Sequence, residues 1–388
     1  MLLSLGLVTL ITADAGGFGE RDAAVLTLGA GASLLAAWLL RPENVARGFA
    51  ATPIALLFAL AGLGLLSLIW TSAPAGDALA TAMLPAAYGA TGLAVLALSG
   101  DPGARRLVLP WIAGLSLVGA LSGLVGVLAE AEPWGALLGG RWRAAGFVEY
   151  PPALAFLLLA GLPAWGSVVA RARGAGRAGA AAALAALAVC LVLTGSRLGL
   201  AAAGLLLLML LWHRRRSLGR QAVAVASIAA LAAVVAAVLL SGSGAGPGEG
   251  RQGVQGADHG RLALWEDSLP AFDEAPLLGH GSASYYEATR ADQEDPTLFA
   301  HNLPLESAVE LGVPGLLLAT ALLAACAVAV WRRRGSLGAW LLGPAVVAFV
   351  AFGLTDWIWH LAGAGAVWAV LLGSLVRIPE AGPEPRDD

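Results

Sequence analysis

Long apolar stretches alternate with short polar interruptions along the whole chain. The apolar stretches lie at residues 2–13, 23–40, 53–70, 78–98, 107–128, 152–170, 178–194, 198–212, 221–240, 304–331, 337–355 and 357–376. Many approach the roughly 20 residues that an α-helix needs to cross the hydrocarbon core of a bilayer. Hydrocarbon holds no water to satisfy backbone polar groups, so such stretches must form helices. The pattern predicts an all-α, polytopic membrane protein with about twelve transmembrane helices.

Composition agrees with this class and narrows the chemistry. Of the 388 residues, 58% are hydrophobic, and the mean hydropathy is +0.78. All 23 basic residues are arginine, and with the heavy use of Ala, Gly and Leu this indicates a GC-rich bacterial source. The two cysteines, Cys190 and Cys326, lie at different predicted depths, so we expect no disulfide. No glycine loop for a nucleotide phosphate is present, and we expect no nucleic-acid partner and no cofactor.

The distribution of arginine predicts the topology. With the N-terminus inside, the predicted cytoplasmic loops hold 16 arginines and the external loops hold 7, as the positive-inside rule requires. Met1–Thr12 lacks the features of a cleaved signal peptide, and we interpret it as the first span. The predicted units are helices one to nine in residues 1–240, one large external loop in 241–303, helices ten to twelve in 304–376, and a disordered cytoplasmic tail in 377–388.

Arg197 stands between two apolar stretches, within Thr194-Gly195-Ser196-Arg197. A single helix across both stretches would bury this arginine in mid-bilayer, at a cost of about 2.5 to 3.5 kcal/mol or more. Arginine clusters precede and follow the pair, so both far ends belong on the cytoplasmic side and the chain must turn back near Arg197. We therefore expect Arg197 at the outer face, where a helix-end arginine either contacts lipid headgroups or binds an anion.

The external loop contains the other candidate residues. After a linker at 241–250, apolar residues from Leu262 to Phe272 recur at helical spacing and predict an amphipathic helix that starts near Arg261 and lies on the membrane or on the bundle. His301 precedes Pro304, which suits a first helical turn. Asp356 and His360 lie one helical turn apart near the outer surface, where the two side chains can pair.

Three separated segments resemble the bacterial O-antigen ligase and O-antigen polymerase superfamily. The segments are Arg143-Ala144-Ala145-Gly146-Phe147, Thr194-Gly195-Ser196-Arg197, and the block from Arg261 through Pro276-Leu277-Leu278-Gly279-His280-Gly281 to His301-Asn302 and Glu310-Leu311-Gly312. The resemblance covers roughly residues 100 to 375. Where the family has a Pro-Asn pair before the sixth span, this chain has Tyr150-Pro151-Pro152, which removes a side-chain amide.

The resemblance implies an activity and a site. Members of this superfamily have a C-type glycosyltransferase fold, and they transfer a glycan from undecaprenyl diphosphate to an acceptor hydroxyl outside the cytoplasmic membrane, without a metal. By motif, the essential arginines of the family fall on Arg197 and Arg261, and its essential histidine falls on His301. The implied partners are an undecaprenyl-diphosphate-linked glycan, an acceptor glycan or glycolipid, and the bilayer.

Four further residues complete the predicted site. Arg141, Arg143, Trp142 and Asn302 are candidates for contacts with the diphosphate or the glycan, with Trp142 placed to stack on a sugar. Together with these residues, the resemblance predicts a metal-independent glycosyltransferase, either a ligase or a polymerase. The alternatives are a transporter or flippase for lipid-linked saccharides and a non-catalytic assembly protein, in which His301 would have no role in joining glycans.

Overall fold

The computed structural model describes residues 1–99, 102–218, 261–290, 297–334 and 336–376, and these ranges are mostly helical. Numbered in chain order, the α-helices of the described ranges are α1 (Leu2–Ala13), α2 (Glu20–Leu40), α3 (Pro42–Gly48), α4 (Thr52–Ser67), α5 (Ala75–Leu98), α6 (Pro102–Leu128), α7 (Pro151–Arg171), α8 (Gly174–Leu193), α9 (Arg197–Leu218), α10 (Arg261–Glu274), α11 (Tyr285–Thr289), α12 (Leu303–Arg332), α13 (Leu337–Gly353) and α14 (Ala362–Leu375). Short 3-10 turns occupy Gly146–Val148 and Ile358–His360. Every predicted span that lies within the described ranges coincides with a helix.

Six of these helices are long and apolar enough to cross a membrane: Glu20–Leu40, Ala75–Leu98, Arg106–Leu128, Pro151–Arg171, Gly174–Leu193 and Leu303–Arg332. The number rises to seven if α3 and α4, which meet at a bend of 75°, form one span. Shorter apolar helices occur at Leu2–Ala13, Arg197–Leu208, Gly338–Gly353 and Ala362–Leu375. The protein is therefore a multi-pass membrane protein. The predicted ninth span, the linker and the tail at 377–388 lie outside the described residues.

One short β-hairpin departs from the predicted all-α fold. Strands β1 (Gly135–Leu138) and β2 (Arg141–Ala144) pair antiparallel through a two-residue turn, Gly139-Gly140, in which both glycines have positive φ. This is the turn geometry that matches the twist of a hairpin, and glycine adopts it without steric cost. The hairpin packs against the end of α6, where the backbone at Trp134 and Gly135 leaves no room for a side chain on Gly126. It carries Arg141, Trp142 and Arg143.

α5 lies near the centre of the bundle, in contact with α2, α4 and α14. Small residues permit this packing, because a Cβ on Gly373 would lie 2.2 Å from the Gly92 carbonyl oxygen. The Tyr88 hydroxyl, fully buried in α5, donates a 2.7 Å hydrogen bond to the Trp359 carbonyl. This bond ties the centre of the bundle to the segment before α14.

The loops that the arginine distribution assigns to the outer side meet at one end of the bundle. The Gly17 carbonyl, in the loop between α1 and α2, accepts a hydrogen bond from the Ala362 amide. Ser282, in the turn that precedes α11, donates from its amide to Ser67 Oγ at the end of α4, with the two atoms 2.9 Å apart. At the opposite end, Arg333 donates to the Leu375 carbonyl at 2.7 Å. The predicted separation into two sets of loops therefore corresponds to two ends of one bundle.

α12 contains a break that the sequence analysis did not predict. Gly312 has non-helical angles, φ 66° and ψ −160°, and the freed carbonyls of Val309 and Glu310 accept bonds from the amides of His280 and Gly281 at 3.0 and 2.7 Å. In a membrane helix, such an interruption requires protein groups to satisfy the exposed backbone. The block 276–284 supplies them and is thereby attached to α12.

Candidate active site

The Thr194–Arg197 segment is a tight turn between α8 and α9, which confirms the predicted break in the long apolar stretch. The Ser196 hydroxyl accepts from the Gly199 amide at 3.1 Å and caps α9, while the Thr194 hydroxyl donates to the Leu191 carbonyl at 2.7 Å. Both hydroxyls therefore stabilise the turn. Arg197 occupies the first position of α9 and is partly exposed.

The turn brings Arg197 together with Arg143. Gly195 has positive φ, and the space that its side chain would occupy is taken by Arg143, whose Cδ, Nε and Cζ atoms would lie 3.2 to 3.5 Å from a Cβ. Partial burial, then the charge of Arg197, then that of Arg141, lower the pKa of Arg143. Three cationic side chains thus concentrate positive charge at this corner, an arrangement that attracts an anion.

Trp142 does not share a face with the two arginines beside it. Successive side chains in a strand point to opposite faces, so Arg141 and Arg143 lie on one face of β2 and Trp142 on the other. Trp142 pairs across the hairpin with Leu137, which is exposed. The hairpin thus places Trp142 away from the arginine corner.

A second group of residues surrounds Asp356, whose side chain is only 4% exposed. Its Oδ2 atom is 3.5 Å from Arg261 Nη2, and its Oδ1 atom accepts a 2.9 Å bond from the Tyr150 hydroxyl. Burial raises the pKa of Asp356, and the charge of Arg261, the bond from Tyr150 and the charge of His301 oppose that rise. Arg261 and His301, which lie forty residues apart in the chain, therefore both act on the ionisation of one carboxyl group.

The predicted pairing of Asp356 with His360 is wrong. His360 bonds instead to Glu306 Oε1 of α12, because the 3-10 turn at Ile358–His360 directs the ring toward that helix. Asp356, in the turn after α13, instead pairs with Arg261 and accepts a hydrogen bond from Tyr150.

His301 has a defined orientation. With Nδ1 protonated, the ring donates to the Phe299 carbonyl at 3.2 Å, which leaves Nε2 with its lone pair available as a proton acceptor. Asn302 caps α12 by accepting from the Leu305 amide at 3.0 Å, and it donates to the Leu354 carbonyl at 3.1 Å. Asn302 thus fixes the chain directly after His301.

Aromatic rings form one wall of this region. Phe299 stacks on Trp357 with the ring centroids 5.5 Å apart, Tyr150 lies 4.7 Å from Trp357, and Phe18 meets Trp357 edge-on at 5.3 Å. The sequence pattern gave no sign that Phe18 or Trp357 lies at the site. Rings that exclude water strengthen electrostatic interactions between the charged groups beside them.

The helix that carries Arg261 lies on the bundle, the second of the two predicted placements. Trp265 donates from Nε1 to the Ala300 carbonyl at 3.0 Å, and Ser268 is buried against the Tyr285 hydroxyl at 2.8 Å. Leu262 and Leu269, expected on the buried face, are both more than half exposed. α10 therefore packs on the segment around His301 through a narrower apolar face than predicted.

Glycines explain the motif from Leu278 to Ser282. A Cβ on Gly279 would lie 2.3 Å from the Glu310 carbonyl carbon, and one on Gly281 would lie 2.3 Å from Thr71 Cα. Both residues also have positive φ, which glycine tolerates. These close contacts hold the block that precedes His301 against α12 and the end of α4.

The structure thus yields two groups at one end of the bundle. Arg197, Arg143 and Arg141 form the arginine corner. Arg261 and Tyr150 contact Asp356, whose ionisation His301 also influences. α7 lies between them, because Tyr150 directly precedes its first residue, and a Cβ on Gly199 of α9 would lie 2.9 Å from Ala155 in its second turn. The sequence pattern indicated Asp356 only as a partner of His360, and Tyr150 only as a departure from the family's Pro-Asn pair. The contact between Asp356 and Tyr150 was not predicted.

The fold and these groups define a multi-pass membrane protein with a cationic site at one end of its bundle. Residues 182–320 match the family model described as O-antigen ligase. This segment includes Arg197, Arg261, His301 and Asn302, and excludes the hairpin with Arg141–Arg143. No curated protein matches the chain. Over these residues the match bears out the predicted resemblance to the O-antigen ligase and polymerase superfamily, and it supports a glycosyltransferase-like role in polysaccharide assembly.

Proposed function

We propose that the protein is a glycosyltransferase that moves a glycan from undecaprenyl diphosphate to a sugar hydroxyl of an acceptor at the outer face of the bacterial cytoplasmic membrane. The observation that carries this proposal is the ion pair of Arg261 with the buried Asp356, a carboxyl group that the charge of His301 also influences. Arg261 and His301 both lie within the segment that resembles O-antigen ligases. A proton acceptor beside fixed cations suits the displacement of a diphosphate by an alcohol.

The arginines bind and stabilise the diphosphate. Guanidinium groups offer planar, bidentate donors that match phosphate oxygens and keep their charge across physiological pH. Arg197 and Arg143 meet at the turn between α8 and α9, and Arg141 adds charge from the hairpin. Fixed donors aimed at the oxygen where negative charge develops can each contribute about 3 to 4 kcal/mol to transition-state stabilisation.

His301 removes the proton from the acceptor hydroxyl. The acceptor oxygen forms a bond to C1 of the donor sugar, the bond from C1 to the diphosphate oxygen breaks, and undecaprenyl diphosphate leaves with that electron pair. The hydroxyl proton passes to Nε2 of His301, the nitrogen left available by the bond from Nδ1 to Phe299. General-base catalysis of this kind typically accelerates a reaction by about 10²- to 10⁴-fold.

Asp356 holds Arg261 in place and compensates its charge between turnovers. The Tyr150 hydroxyl fixes the other carboxylate oxygen. Asn302 and Trp142 stay candidates for contacts with the glycan, and we assign no metal or cofactor to the reaction. Ligase and polymerase activities differ only in the acceptor, which is a glycolipid for the first and a second lipid-linked glycan for the second.

The test uses the full chain in lipid nanodiscs with an undecaprenyl-diphosphate-linked glycan, alone and with an acceptor glycolipid. Release of undecaprenyl diphosphate and formation of joined glycan are measured. We expect His301→Ala to lower kcat by about 10² to 10⁴, and Arg197→Ala or Arg261→Ala by about 10² to 10³. Undiminished joining in these variants would refute the assigned roles.

Arg290→Ala is the matched control. Arg290 lies in the same extramembrane block, is more than half exposed, and pairs with Glu287 at 2.9 Å. Its removal should leave joining unchanged. A protein that joins no glycan but carries the lipid-linked saccharide across a vesicle bilayer would instead support the transporter alternative.

A further inference from the structure

His301 has an unusual backbone conformation. Its φ is +54°, in the left-handed region that residues other than glycine rarely adopt. Such a conformation costs on the order of 1 to 3 kcal/mol and persists only when neighbouring contacts hold it. The contacts that hold His301 are therefore informative about the site.

The residue before His301 is held at both of its backbone polar groups. The Ala300 carbonyl accepts from Trp265 Nε1 at 3.0 Å, and the Ala300 amide donates to Glu306 Oε2 at 3.0 Å. Glu306 lies in the first turn of α12 and is 4% exposed. A buried carboxylate thus fixes the segment that carries the proposed base.

His360 fixes Glu306 in turn. With Nε2 protonated, His360 donates to Glu306 Oε1, the oxygen that Ala300 does not use. Breaking a buried pair by removing one partner is strongly destabilising, so the bond from His360 helps to hold the Glu306 carboxylate in place beside the Ala300 amide.

Phe299 connects His360 to the His301 ring. The Phe299 ring stacks on the His360 ring, with the centroids 4.0 Å apart and an interplanar angle of 18°, and it also stacks on Trp357. The Phe299 carbonyl accepts the bond from His301 Nδ1. His360 therefore supports both the backbone and the ring orientation of His301.

We propose that Glu306 and His360 are positioning residues that hold His301 in its strained conformation with Nε2 directed to the acceptor hydroxyl. This inference rests on the proposed function, because it gives the pair a task in the same reaction. Neither residue contacts the reacting atoms. Misplacement of a catalytic group by about 1 Å can lower the rate by about 10²-fold, so the effect should lie in kcat.

The experiment measures kcat and KM for the undecaprenyl-diphosphate-linked glycan with the full chain in nanodiscs. We expect Glu306→Ala to lower kcat by about 10²-fold while KM changes less than about three-fold. Glu306→Gln should recover most of kcat. The oxygen of its side-chain amide can accept from the Ala300 amide, and its NH₂ group can donate to Nε2 of His360 when the His360 proton is on Nδ1. Ser307→Ala, the next and equally buried position of α12, is the control and should retain wild-type kcat.

Several results would overturn the inference. These are a wild-type kcat in Glu306→Ala, a loss confined to KM, or a folded Glu306→Gln no more active than Glu306→Ala. If Glu306→Ala does not fold, His360→Gln decides, since it keeps a donor for Glu306 but removes the ring under Phe299; an unchanged kcat there refutes the proposal. His301→Ala, measured in parallel, separates the two hypotheses, because full activity in that variant refutes the proposed function itself.

Discussion

At the scale of single residues, the carboxyl group of Asp356 organises the site. Burial raises its pKa, and the ionised form is favoured mainly by the charge of Arg261 and by the hydrogen bond from the Tyr150 hydroxyl. The dependence is mutual, because Arg261 is oriented by the same carboxylate at 3.5 Å. Removing the charge of Asp356 should therefore impair Arg261 without touching the substrate directly.

Asp356→Asn tests this dependence. The variant keeps an acceptor for Tyr150 but loses the charge that holds Arg261, and we expect kcat in the glycan-joining assay to fall by about 10- to 10²-fold. Tyr150→Phe removes one hydrogen bond worth about 1 kcal/mol, so its loss should stay below about ten-fold.

Tyr285→Phe is the matched control for Tyr150→Phe. Its hydroxyl is also buried and bonds to Ser268 at 2.8 Å, in the cluster between α10 and α12. It should lower thermal stability while joining proceeds at nearly the wild-type rate. Equal losses of activity in the two phenylalanine variants would contradict a specific role for Tyr150.

At the scale of elements, the break in α12 determines where the external block lies. Gly312 adopts angles essentially restricted to glycine, and a Cβ there would lie 2.6 Å from the carbonyl carbon and oxygen of Leu277. The amide of Val313 donates to the Pro276 carbonyl at 2.8 Å across the same contact. The block before His301 is thus placed by a backbone irregularity in a membrane helix.

Gly312→Ala should separate the block from α12. We expect a loss of more than about 1 to 3 kcal/mol in stability, because the strained angles and the steric clash act together. Thermal unfolding of the purified protein and proteolysis of the external block provide the measurement. Gly114→Ala, in α6 with open space beside it, is the control and should be neutral or slightly stabilising. Equal melting temperatures for the two variants would argue against this role of the break.

At the scale of the whole molecule, the two sets of loops lie at opposite ends of the bundle. The arginine corner and the Asp356 group share the end whose loops hold few arginines, and the other end carries the arginine-rich loops. The positive-inside rule then predicts that the site faces away from the cytoplasm. An undecaprenyl-diphosphate-linked glycan would meet the site from that side.

Cysteine labelling in intact cells tests this orientation. Cys190 and Cys326 are both buried, so the unaltered chain should give little background with a membrane-impermeant maleimide. Glu274→Cys, at the exposed end of α10, should be labelled in intact cells. Glu43→Cys, exposed at the opposite end, should be labelled only after permeabilisation. The reverse pattern would place the site in the cytosol and end the proposed mechanism.

The sequence predicted the helices because the length of an apolar stretch depends on bilayer thickness rather than on tertiary packing. It predicted the break before Arg197 from charge alone. It did not predict the hairpin at Gly139-Gly140 as a β-structure, although that dipeptide is a hairpin signal, because the surrounding external segment was interpreted only as a loop. Asp356 was expected beside His360, since sequence spacing on an assumed helix cannot reveal that the chain forms a turn there.

The sequence by itself determined the class of protein and the turn before Arg197, because hydropathy and charge act locally along the chain. The candidate roles of Arg197, Arg261 and His301 came from the resemblance of short motifs to the O-antigen ligase superfamily. Only the tertiary structure decided that Arg143 packs on Gly195, that Arg261 pairs with Asp356, and that Glu306 bonds to His360 and to the Ala300 amide. Each of these contacts joins residues distant in sequence, and their geometry depends on how the helices pack and where α12 breaks.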